Sequence, residues 1–352
     1  MLLFSNKNEV GTTELDLQGK ISSTFTFDML VVLLSYWFLV GLFWDGWSHI
    51  HNLPETFFTP SHLLLYSGFG ATAFLVVLST IIGRKRGLSL FSAVPKGYEW
   101  SLVGIILFAT AGGIDMMWHE IFGIEADLEA LLSPPHLLLA LGAGMLVTGP
   151  IRATAMRYLT EDKQGWQTLG PLIFASAGLL SWLTFFTMFM NPFTFGYAIS
   201  AVSSPEDVSS LQVGAASILF YGVLLTGILL VILARFSMPL GGFTAIIGIN
   251  SILMAYLQDR YFMILIGILA GILLDIAFYI AKHTLHKDTI IRMFGGLIPF
   301  TFFAFYAIII AVFDSIAVAE TLLFGIILLS AIFGFLSSYL VATPPKNVST
   351  VG

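Results

Sequence analysis

The sequence predicts an all-α integral membrane protein with about ten transmembrane helices. Three observations predict it. Hydrophobic residues make up 57% of the chain and charged residues only 10%, a balance foreign to water-soluble domains. Apolar runs of about 20 residues, the length an α-helix needs to cross a bilayer, recur from one end to the other. The basic residues then sort to one side of the topology those runs define.

Residues 1–26 are polar and mixed in charge, without the basic-then-apolar pattern of a cleaved leader. They are expected to form a cytosolic tail. Ten apolar spans follow near 28–49, 60–83, 99–121, 134–156, 168–190, 212–234, 239–258, 261–281, 290–313 and 320–341. Gly83-Arg84-Lys85-Arg86-Gly87 marks the clearest loop, and Thr160 to Gly165 and Ser203 to Asp207 mark two more. Residues 27–157 read as a four-helix unit made of two similar hairpins. Residues 158–342 read as a six-helix unit, and 343–352 as a cytosolic tail.

With both termini cytosolic, every one of the 15 Lys and Arg except Arg260 falls on the cytosolic side. The connectors at 50–59 and 122–133 carry Glu55, Glu125, Asp127 and Glu129 but no Lys or Arg. They are therefore expected outside, in a prokaryotic cell membrane. The lipid bilayer is the first partner implied. The net charge of −6 says little about others. No basic stretch with interleaved aromatics points to nucleic acid. No phosphate loop, dinucleotide fingerprint or serine-hydrolase elbow is present. The absence of Cys excludes disulfides, thiolate metal sites and Cys nucleophiles.

Chemistry concentrates in two stretches. Asp45 to His62 reads Asp-x3-His-x12-His, and Asp115 to His136 reads Asp-x3-His-x16-His. In each, the second His is followed by three leucines. The two stretches read as an internal repeat, and four of the seven His fall in its matching slots. On a helix, residues i and i+4 share a face about 6 Å apart. Asp45 with His49, and Asp115 with His119, can thus present an oxygen and a nitrogen together. Thr59-Pro60-Ser61-His62 and Ser133-Pro134-Pro135-His136 read as helix starts, with Pro in the first turn. They set His62 and His136 beside the preceding helix ends. The positive end of a helix dipole disfavours imidazolium, leaving the neutral form that binds metal. Asp45, His49 and His62, and Asp115, His119 and His136, are the candidate metal ligands. Without sulfur the set suits copper, zinc or non-haem iron. Three ligands leave positions open for catalysis or exchange. Plain interfacial anchoring explains any single cluster of this kind; the second copy weighs against it.

Asp45-x3-His49-x12-His62 resembles the copper-site motif in one of the membrane subunits of the particulate methane and ammonia monooxygenases, a family of membrane-bound copper enzymes. Asp115-x3-His119-x16-His136 resembles a second motif in the same family, with Asp where the family has Asn and with a longer connector. The resemblance covers about residues 30–145. It implies copper, additional membrane subunits, and activation of dioxygen for oxidation of a small or lipid-soluble substrate. Alternatives from other classes are a membrane zinc hydrolase acting through a bound water, and a non-catalytic metal-binding or transport protein. No separate general base is identifiable.

Other residues carry two readings each. His51, Glu55, Glu120 and Glu125 are either further ligands or solvated. Trp44, Trp47 and Trp118 read as an interfacial belt, and Met116 and Met117 as packing. Asp275 lies centrally in the eighth span, where a carboxylate serves passage or pairs with a neighbouring helix, Asn250 being one candidate. His283 and His286 read as cytosolic surface. Spans five to ten hold no third His copy.

Overall fold

A computed structural model describes residues 21–53, 59–123, 127–158, 165–194, 208–314, 316 and 318–342. Among them the regular structure is helical: α1 (Phe25–Ile50), α2 (Pro60–Lys85), α3 (Leu90–Ala93), α4 (Glu99–Phe122), α5 (Asp127–Leu132), α6 (Pro134–Val147), α7 (Gly149–Tyr158), α8 (Trp166–Phe186), α9 (Val208–Arg235), α10 (Gly242–Leu257), α11 (Ile264–Thr284), α12 (Lys287–Phe313) and α13 (Glu320–Val341). The chain is an all-α, multi-pass membrane protein. Nine stretches among the described residues are long and apolar enough to cross a bilayer. The expected seventh span forms α10, which at 16 residues is shorter than the rest.

The helix starts follow local chemistry. Thr24 accepts a hydrogen bond from the Phe27 amide at 3.2 Å and caps α1. Pro60 and Pro134 open α2 and α6, where a missing N–H leaves nothing unsatisfied. α4 stops at Gly123, whose φ of 84° favours glycine. The fourth span is interrupted at Thr148, between α6 and α7. Arg152 stitches that break, donating to Gly97 O at 2.8 Å, Thr148 Oγ1 at 2.7 Å, Ser101 Oγ at 2.9 Å and Met145 O at 3.0 Å.

The chain divides into two compact units. The first comprises residues 1–189 with 252–261, and the second 190–251 with 262–352. α8, read from sequence with the C-terminal helices, belongs to the first unit, where it packs on α1 and α7.

In the first unit the tightest pairs are α1 with α2 and α4 with α6. Glycine permits both. Gly68 meets the Phe38 backbone and Gly104 meets Gly142, with no room for a Cβ. Phe38 fills the centre against Phe69, Phe108 and Trp182. Near the start of α1, buried Asp28 pairs with Arg157 Nη1 at 2.7 Å and accepts from the Tyr98 hydroxyl at 2.8 Å. Removing one partner of so buried a pair costs about 3–5 kcal/mol.

In the second unit, Tyr221, Phe302 and Phe303 pack as one aromatic cluster. Asp275 of α11 accepts from the Phe243 and Thr244 amides at 3.1 and 3.0 Å and from Thr244 Oγ1 at 2.7 Å. These are the first amides of α10, so the carboxylate serves as that helix's cap and offsets its dipole. Asn250 instead accepts from the Tyr221 hydroxyl at 2.7 Å.

Candidate metal centres

Both expected triads assemble in the first unit. In each, one donor atom per residue lies within 4.8 Å of the others. α1 carries Asp45 and His49 on one face near its end, and the α2 start supplies His62. α4 and α6 do the same for Asp115, His119 and His136.

In the first cluster, Asp45 Oδ1 stands 3.1 Å from His62 Nε2, and Oδ2 stands 3.7 Å from His49 Nε2. Ser61 Oγ donates to Asp45 Oδ1 at 2.8 Å. In the second, Asp115 Oδ1 stands 3.6 Å from His119 Nε2 and 3.5 Å from His136 Nε2. The Asp45 side chain is 14% exposed and that of Asp115 only 6%. Asp115 Oδ1 is buried and has no hydrogen-bond partner.

Three of the four N···O separations exceed hydrogen-bond length. Ligands bound to one ion at about 2.0–2.2 Å lie roughly 3.1–3.7 Å from one another. The observed separations fall in that window. The second cluster also has its imidazoles oriented. His119 Nδ1 lies 3.3 Å from Gly123 O, a carbonyl that can only accept. Nδ1 therefore carries the proton, and Nε2 turns a lone pair toward Asp115. His136 Nδ1 contacts Ser133 Oγ at 2.7 Å and likewise turns Nε2 inward. A lone pair facing an unpaired buried carboxylate oxygen is repulsive unless a cation or proton lies between them. Cation binding relieves it.

The remaining candidates separate. His51 is not a further ligand of the first cluster. Its Nε2 pairs with Asp259 at 2.9 Å, its Nδ1 contacts Trp47 O at 2.8 Å, and its ring stacks on Trp47 at 4.3 Å. Asp259 also accepts from Tyr261 at 2.8 Å and from Trp47 Nε1 at 3.2 Å. The Tyr261 hydroxyl first, then the Trp47 N–H and His51, hold its carboxyl below the usual range. Trp47 thus ties the end of α1 to the connector before residue 261, beyond its role in a belt. Glu120, Met116 and Met117 are exposed, and Trp118 packs on Phe122. Glu55 and Glu125 lie outside the described residues. His283 and His286 are exposed on α11 and its connector.

Sequence reasoning missed Ser61 and Ser133 as supports. A signal existed: each precedes a candidate His within the first helical turn. It also missed the His51–Asp259 pair, which joins residues too far apart in sequence to be matched by spacing.

No family model, curated protein or solved structure matches the chain. What fold and site define is a class: a multi-pass helical membrane protein with two Asp/His/His groups able to hold metal ions.

Proposed function

We propose that the first unit is a membrane metal centre with two cation sites, Asp45/His49/His62 and Asp115/His119/His136. The second site carries the proposal. Asp115 Oδ1 is buried and unpaired between two imidazole nitrogens spaced as ligands of one ion are spaced. A buried carboxylate without a partner is destabilising unless something of positive charge completes it.

Copper is the ion proposed, since two imidazoles and one carboxylate without sulfur suit Cu(II). The Asp-x3-His-x12-His spacing, which resembles the copper monooxygenases, points the same way. On this reading the chain is a monooxygenase-like oxidase or one part of such an enzyme, with a small or lipid-soluble substrate. The bound ion supplies the redox chemistry toward dioxygen, and the six side chains hold and orient it. Transport is less well supported, because Asp275 is engaged as a helix cap.

The test is elemental analysis with electron paramagnetic resonance on the purified chain, wild type against His49→Ala and His119→Ala. The expected result is two Cu(II) in the wild type and one in each variant. Full retention in both variants sinks the site assignment. Zinc alone at the same stoichiometry sinks the oxygen chemistry and leaves a hydrolytic or structural site.

A further inference from the structure

Tyr66 stands between the two clusters. It lies one turn after His62 on α2, its ring centroid 6.0 Å from that imidazole. About one turn further on, Phe69 stacks on Phe108 of α4 at 3.8 Å. His62 precedes Phe69 by seven residues, and Asp115 follows Phe108 by seven. Tyr66 is within electrostatic reach of both Asp45 and Asp115. With Phe69 against Phe108 and Tyr66 near Asp115, α2 and α4 run antiparallel along this seam. Seven residues make two turns, a rise of about 10.5 Å, so His62 and Asp115 reach one level on facing stripes.

A phenol has a single O–H to donate. It cannot serve two carboxylates at once. We propose that Tyr66 is a positioning residue shared by both clusters, and that it makes their cation occupancies interdependent. The proposal rests on reading the two clusters as cation sites. A cation beside Asp115 cancels the negative charge on one side of the phenol. The hydroxyl then turns toward Asp45 and competes there for the carboxylate. A cation beside Asp45 has the mirror effect. Loading one cluster weakens the other, and by linkage the factor is the same in both directions.

The experiment titrates the full chain in detergent with Cu(II) alone. His119→Ala reports the intrinsic affinity of the first cluster, and His49→Ala that of the second. The coupling factor is the wild-type two-site affinity product divided by the product of those two. A wild-type product about tenfold below independence is expected, within the usual range of coupling between sites. Tyr66→Phe in the same three backgrounds is expected to bring that factor most of the way to one. Both Cu(II) should still bind, which shows that the variant folds. Tyr66→Gln, which restores a donor, should recover part of the factor and covers the case in which the Phe variant does not fold. A second readout is the resonance spectrum of Cu(II) in the first cluster as Zn(II) fills the second. It should shift in the wild type and stay fixed in Tyr66→Phe. Independent binding in the wild type overturns the interdependence while leaving both sites standing. An unchanged factor in Tyr66→Phe overturns the role of Tyr66. Absence of bound Cu(II) everywhere overturns the cation sites themselves, and the coupling with them.

Discussion

Asp45 and Asp115 occupy matching places near the ends of their helices, yet their surroundings differ. Asp45 is partly wetted, accepts from Ser61 and lies within reach of His62. Asp115 is more deeply buried, and its Oδ1 accepts from nothing. The cause is legible in four residues. Where the first helix start reads Thr59-Pro60-Ser61-His62, the second reads Ser133-Pro134-Pro135-His136. Ser61 supplies a hydroxyl to Asp45; Pro135, in the corresponding place, has none to give. The first cluster is a carboxylate nearly satisfied without an ion. The second is a carboxylate waiting for one. The motif that better matches a known spacing is therefore not the one whose geometry most calls for a cation.

The comparison breaks most visibly at the two carboxylates. Asp115→Asn should weaken Cu(II) at the second cluster by about 100-fold or more. It should also stabilise the metal-free protein by about 1–3 kcal/mol, because an orphaned buried charge is removed. Asp45→Asn should weaken the first cluster similarly but destabilise the metal-free protein by about 1 kcal/mol, because its hydrogen bonds are lost. Metal titration with denaturant unfolding in detergent reads both. The same sign of stability change in the two variants would show that the surroundings do not differ as described.

A subtler change exchanges the supports. Pro135→Ser offers Asp115 a donor and should stabilise the metal-free protein by about 1 kcal/mol. Ser61→Ala should do the reverse at the first cluster by a similar amount. No effect of either would place the asymmetry elsewhere than in the Ser61–Pro135 difference.

The smallest effect concerns the end of α1 beside the first cluster. The Asp259 carboxyl is held below its usual range, first by Tyr261 and then by Trp47. Its ionised form therefore favours the folded contacts. That contribution is full above the ordinary carboxylate value of about 4 and declines as pH falls through the lowered value. Trp47 fluorescence should change on acidification in the wild type. In Asp259→Asn it should not follow that transition; an identical transition in both would clear Asp259 of the role.

Much of this was legible without a fold. Apolar runs long enough to cross a bilayer can hardly be anything but helices, since lipid offers no partner for open backbone groups. Asp-x3-His is a local relation on a helix, and Pro-x-His is local to a helix start. Both triads followed from such short-range rules and a hairpin. What escaped was long-range. Asp275 reads as a functional acid because its chemistry suggests one; that it caps α10 depends on how α11 lies against Phe243 and Thr244. Arg157 reads as a cytosolic surface charge, whereas it is the half of an ion pair whose other half, Asp28, is fully buried. α8 reads with the helices that follow it but packs with those before.

By itself, then, the sequence determined the helical membrane class, the spans and the six candidate ligands, because periodicity, length and i, i+4 spacing act within one or two elements. Tertiary structure alone decided which carboxylates are satisfied and which is left open. It also decided that the two clusters share the α2–α4 seam with Tyr66 between them. Those outcomes depend on what each side chain meets from another helix, and no local pattern encodes that meeting.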